Sequence, residues 1–107
     1  DTIAIPKAGV YLTKNYIISN STGFKVVDYK DILWVYILKQ KNHGITVGNH
    51  LMVYQKNGKG DTLAIMVKAD KLEELIPEIQ KKNKKVLVGY TTDNQKKYRE
   101  MVKENNK

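Results

Sequence analysis

Cysteine is missing from the 107 residues, arginine occurs once, at Arg99, and tryptophan once, at Trp34. Without cysteine the chain has no disulfide framework, no thiolate nucleophile and no thiolate-held metal. The two histidines, His43 and His50, have no carboxylate cluster beside them in the sequence, so no metal centre is expected. Ser19 and Ser21 lie near a turn without a nucleophile elbow. The stretch NGKGDT (57–62) lacks the spacing and the G-K-[ST] ending of a phosphate loop. These absences argue against an enzyme, a cofactor or a small-molecule substrate. A convergence of Asp28, Asp31 and Asp61 in one pocket would reverse that reading.

No apolar run approaches the roughly 20 residues needed to span a bilayer. The opening DTIAIPKAGV has neither an initiator Met nor a signal-like apolar region, and reads as part of a longer chain. The formal charge is +8, and it is spread evenly: nine lysines and five acids up to Asp70, ten basic residues and six acids beyond. Eighteen of the nineteen basic residues are lysine, a compact cation without the planar fork that reads bases and phosphates bidentately. Specific nucleic-acid recognition is therefore not expected. The densest basic cluster is Lys81, Lys82, Lys84 and Lys85, which suits either a helix C-terminus or an anionic membrane surface.

What is present is an alternating strand pattern from Gly9 to about Lys68. VYL (10–12), YIIS (16–19) and FKVVDY (24–29) are separated by short turns and read as antiparallel neighbours. YKD turns into DILWVYILK (31–39), the longest apolar run. KQKNHG (39–44) reads as a loop, and HLMVYQK (50–56) pairs across NGKG with DTLAIMVK (61–68). Leu63, Ile65 and Val67 are expected on one face. In the long run, Leu33, Val35 and Ile37 are expected on one face, and Ile32, Trp34, Tyr36 and Leu38 on the other.

At Asp70 the period changes from two to 3.6, predicting a helix over 70–83 with Asp70 and Glu73 as a capping box. Leu72, Leu75, Ile76 and Ile79 form its apolar stripe, and Pro77 is expected to kink it. VLVGY (86–90) reads as a short strand or extended piece. A second helix over 92–105 is predicted, capped by Thr92 with Gln95 at its third position and striped with Tyr98, Met101 and Val102. The tail KENNK (103–107) is expected to fray. The first stripe is expected to line one face of the long strand. The aromatic face is covered either by the second helix or by a second subunit.

The stretch YLTKNYIISNSTGFKVVDYKDILWVY (11–36) resembles bacterial pleckstrin-homology-like (PH-like) domains, through Leu12, Thr13 and Asn15, then GFKVV, then YKDI. DILWVY and GYTTDNQKKY (89–98) are similar to one uncharacterised bacterial family of that fold, in which the domain often follows N-terminal transmembrane helices. The resemblance implies an α+β fold: one domain over 1–107, with an N-terminal segment (1–8) and an antiparallel bent sheet or partly open barrel of six or seven strands, followed by the two helices. Relatives that bind phosphoinositides use a basic motif around the first hairpin. This chain offers only Lys14 and Lys25 there, so headgroup binding of that type is not expected.

The reading that follows is a non-enzymatic interaction or scaffold domain, tethered at the inner, cytoplasmic face of a bacterial cell membrane, whose partner is a protein or another copy of itself. The alternative is peripheral binding to anionic lipid through the Lys-rich surface. The candidate contact residues are Trp34, Tyr36, Lys81, Lys82, Lys84 and Lys85.

Overall fold

The computed structural model describes residues 3–21 and 23–105. Among these residues the fold is α+β, with eight strands in two four-stranded sheets where one sheet of six or seven is expected, and they close no barrel. The first sheet is an antiparallel meander of β1 (Ile3–Ile5), β2 (Val10–Leu12), β3 (Tyr16–Ser19) and β4 (Lys25–Asp28). The extra strand is β1, inside the stretch read as an N-terminal segment; it pairs Ile3 with Leu12 and Ile5 with Val10.

A 3-10 turn, Tyr29–Asp31, leads into the second sheet. That sheet contains β5 (Ile32–Asn42), β6 (Ile45–Gln55), β7 (Gly60–Val67) and β8 (Leu87–Val88), in the order β7-β6-β5-β8. β8 runs parallel to β5, so the sheet is mixed. The loop expected at 39–44 is strand almost throughout. Asn42 pairs with Ile45, and only His43 and Gly44 turn, both at positive φ (52° and 80°), the geometry of a two-residue hairpin.

Two further expectations fail through β-bulges. Ile32 pairs with Gln55 and Trp34 with Tyr54, so Leu33 is an extra residue that shifts the alternation. Ile32 therefore joins Val35 and Ile37 in the main core, while Leu33 joins Trp34 and Tyr36 on the other face. Leu38 lies exposed. On β7 the register shifts twice, so Leu63 and Ala64 are both fully buried and Ile65 turns outward.

Helix α1 (Ala69–Lys82) follows β7 directly. Lys68, extended at φ −67° and ψ 139°, is the last residue outside it, and no side chain caps it. Asp70 therefore sits inside the first turn, where its carboxylate accepts from the Lys71 amide (3.0 Å), and the expected Asp70–Glu73 box does not form. Its charge still favours the positive end of the helix dipole. The helix continues through Pro77, whose missing N–H leaves the Glu73 carbonyl without its usual intrahelical donor.

Leu72, Leu75 and Ile79 are buried, with Ile76 partly so, in a core shared with Val10, Leu12, Ile17 and Val27 of the first sheet and Val35, Leu51 and Val53 of the second. The Ser19 hydroxyl ties the sheets together by donating to the Leu63 carbonyl.

Helix α2 (Thr92–Asn105) is capped one residue earlier than expected: the Thr91 hydroxyl, not that of Thr92, accepts from the third amide, that of Asn94 (3.0 Å). α1 packs against β5, β6 and the Tyr29–Asp31 turn, and α2 against β5 and β8. Of the tail KENNK, Lys103 to Asn105 continue α2, while residues 106 and 107 lie outside the described residues.

Candidate functional site

The aromatic face of β5 builds a second, smaller core. Trp34 has the rings of Tyr36, Tyr54, Tyr98 and Tyr90 around it at centroid distances of 4.8, 5.0, 5.6 and 6.0 Å. Its indole N–H donates to the Gly89 carbonyl (2.8 Å), and the Asn94 amide donates to the same oxygen (3.0 Å). Tyr98 anchors α2 by donating from its hydroxyl to the Gln55 carbonyl (2.8 Å), with Met101 and Val102 packed beside it. Trp34 is only 4% exposed, so the chain's own second helix provides the cover.

Tyr36 is equally enclosed. Burial, the hydrogen bond to the Tyr54 hydroxyl (3.4 Å) and the neighbouring tyrosines push its pKa well up. Burial, then the nearby Tyr54, raises that of Tyr98 too. Neither Trp34 nor Tyr36, the two aromatic candidates, offers a free surface. The accessible ring of the cluster is Tyr90, 61% exposed, which flanks a cleft of about 370 Å³ lined by Tyr36, Ile37, Ile76, Pro77 and Val88.

The lysines divide into two pairs. Lys81 and Lys82, at the end of α1, line a polar cleft of about 470 Å³ together with Lys14, Lys30, Asn15 and Tyr16. Lys84 and Lys85 are exposed in the turn that follows and do not line it. Lys14 and Lys30 reach this cleft from the segments that flank the β3–β4 hairpin. Tyr16 pairs with Asp28 at the end of the β3–β4 ladder, and Lys14 and Lys30 lie two residues beyond that pair, in the bend before β3 and in the 3-10 turn after β4. Both lysines lie just outside the hairpin that YIIS and FKVVDY predict, and nothing in the sequence pattern joins them.

Asn83 brings the helix end to the same corner. Its side-chain amide donates to the carbonyls of Tyr29 (2.8 Å) and Ile32 (2.7 Å), fastening α1 to the turn that carries Lys30. Two acids temper the charge: the Asp28 carboxylate accepts from the Lys30 amide (2.9 Å), and Glu78 pairs with Lys81 (3.3 Å). Tyr29, buried under this corner, has its pKa pushed up to about 12 by burial, then by Glu78.

The three acids that would have reopened an enzyme reading serve separate contacts. Asp28 holds the 3-10 turn, Asp31 pairs with Lys56 (3.9 Å), and Asp61 pairs with Lys25 (3.7 Å) and accepts from Gln55 (2.6 Å). His50 bonds Gln40 (2.8 Å), and His43 sits exposed in the hairpin turn. Among the described residues no group of three His, Asp or Glu side chains is placed to hold a metal ion. No described helix is long and apolar enough to cross a membrane.

Comparison with curated proteins and with solved structures finds no match to the chain. One family model does match, over residues 5–98, a stretch that takes in the lysine corner and runs through the aromatic core to Tyr98. The chain belongs to the family described as Domain of unknown function (DUF6709).

Proposed function

We propose that this chain is a non-enzymatic, PH-like binding module that attaches peripherally to an anionic membrane surface through its lysine corner. The observation that carries the reading is the convergence of Lys14, Lys30, Lys81 and Lys82 on one polar cleft. Support for the PH-like arrangement comes from an antiparallel meander and a second, mostly antiparallel sheet that share a core with helix α1. Lysine suits a diffuse field of headgroups better than a planar, bidentate partner.

Each lysine held near such a surface contributes about 1 kcal/mol, so four contribute about 4 kcal/mol, a dissociation constant near 1 mM. That strength retains a tethered domain, and binds a free one measurably once accessible anionic lipid is in the millimolar range. It fits a domain kept at the inner face of a bacterial cell membrane by a tether elsewhere in its protein.

The test is co-sedimentation with vesicles rich in phosphatidylglycerol, against vesicles of phosphatidylcholine. Binding is expected only to the former. It should weaken as salt rises, because the screening length shrinks from about 10 Å at 0.1 M to about 3 Å at 1 M. It should be lost in the double variant Lys81→Glu, Lys82→Glu. Absence of binding at low salt, or equal binding to both vesicles, would overturn the reading.

A second reading, a protein partner or another copy of the chain, rests on exposed Tyr90 beside its apolar cleft. It predicts association that survives high salt and is removed by Tyr90→Ser.

A further inference from the structure

The strand register lays an apolar row across the outer face of the first sheet. Ala4 stands opposite Tyr11, Tyr11 opposite Ile18, and Ile18 opposite Val26. The inner residues of these strands, Val10, Leu12, Ile17 and Val27, belong to the main core, while both helices find their main packing partners elsewhere. The outer face is thus left open where apolar groups are concentrated. Val26 is 50% exposed, Tyr16 beside it 45%, and Phe24, next to β4, 76%.

Single exposed apolar residues need no explanation; a contiguous row across four strands does.

We infer that this face enters the interfacial region of an anionic bilayer, with Phe24 and Val26 among the upper acyl chains and Tyr16 at headgroup depth. The inference rests on the proposed function and adds the docking orientation. Charge complementarity selects the membrane as occupant. Tyr16, two residues along β3 from Ile18 and paired with Asp28, shares the outer face with the row and also lines the lysine cleft, so the apolar face borders the place where Lys14, Lys30, Lys81 and Lys82 gather around Asp28. An apolar surface bordered by lysine matches an anionic interface, where aromatic rings sit at the boundary and cations meet phosphate. Interfaces between proteins, in contrast, are enriched in Arg and Trp and depleted in Lys. This chain's one arginine lies on α2, and its one tryptophan is buried.

The missing cysteine makes a direct test clean, because a single introduced thiol takes the whole label. Phe24→Cys, carrying an environment-sensitive fluorophore, is compared with Glu100→Cys on exposed α2, using phosphatidylglycerol-rich vesicles. Circular dichroism confirms that both variants are folded. The Phe24 label is expected to shift to the blue on vesicle addition while the Glu100 label stays unchanged. In the unlabelled protein, Phe24→Ser with Val26→Ser should weaken vesicle binding by about tenfold or more, as loss of a partly buried aromatic and a β-branched residue implies.

Co-sedimentation without a blue shift at position 24 would overturn this orientation and leave the lysine reading standing. A protein that does not sediment with the vesicles at all would overturn both. A blue shift that grows with protein concentration in the absence of vesicles would make the face a contact between copies of the chain, and would also overturn the inference.

Discussion

Asn83 joins more of the molecule than its place within KKNKK announces. It ends α1, donates to two carbonyls across the Tyr29–Ile32 turn, and accepts from the Lys85 amide (3.1 Å). Replacing it by alanine leaves two partly buried acceptors without their donor, so Asn83→Ala is expected to cost about 2–3 kcal/mol. Asn83→Asp should cost more, since a carboxylate facing two carbonyls donates nothing. A lower urea midpoint at unchanged slope is the signature, and an alanine variant within about 0.5 kcal/mol of the parent would refute the account. The same side chain holds Lys81 and Lys82 against the turn bearing Lys30. Its loss should therefore weaken vesicle binding while removing no charge.

Among the elements, α2 is the one whose contribution can be isolated. Ending the chain after Thr91 removes Tyr98, Met101 and Val102 from the aromatic core while sparing every residue of the main one. The emission of Trp34, the sole tryptophan, should then move to longer wavelength while the β-sheet signal in the far ultraviolet persists. An unchanged emission spectrum would mean that something other than α2 shields the indole.

Much of this architecture was legible in the sequence, because burial imposes a period: Leu72, Leu75 and Ile79 recur as a helix stripe, and Tyr98 follows its own. The bulges were not. Leu33 is as apolar as its neighbours, and nothing in its chemistry marks it as the residue that the partner strand skips. The hairpin at His43 and Gly44 was hidden because a histidine at positive φ is uncommon, and polar neighbours made the strand ends look like loop. The start of α2 moved by one residue because Thr91 and Thr92 are chemically equal candidates for the same cap. At the candidate site, the cluster after α1 was visible as a charge run, whereas its meeting with Lys14 and Lys30 depends on tertiary contact through Asn83.

For the molecule as a whole, the two cores share one weakness at high pH. Tyr29 in the main core, and Tyr36 and Tyr98 in the smaller one, are all harder to ionise folded than unfolded, chiefly through burial. An unfolded tyrosine loses its proton near pH 10, and folded Tyr29 only near 12. Between those values the unfolded chain holds fewer protons than the folded one, so stability falls as pH rises. Below about pH 10 the contribution is intact; above it, it is lost progressively up to about pH 12. Urea midpoints should therefore be level from pH 8 to about 9.5 and then decline, with tyrosinate absorbance lagging until the fold opens. A midpoint still level at about pH 11 would contradict this coupling.

The bond from Ser19 to the Leu63 carbonyl has a consequence for crowded solutions. β7 is the outer strand of its sheet, and outer strands offer unpaired backbone groups on which foreign strands can grow into aggregates. Here the Leu63 carbonyl is taken by Ser19, and the adjoining Thr62 carbonyl is reached by the Lys25 ammonium (3.4 Å). Along this part of its rim the protein presents acceptors already engaged by its own side chains, a built-in obstacle to fibril-like growth at the high local concentrations of a crowded surface.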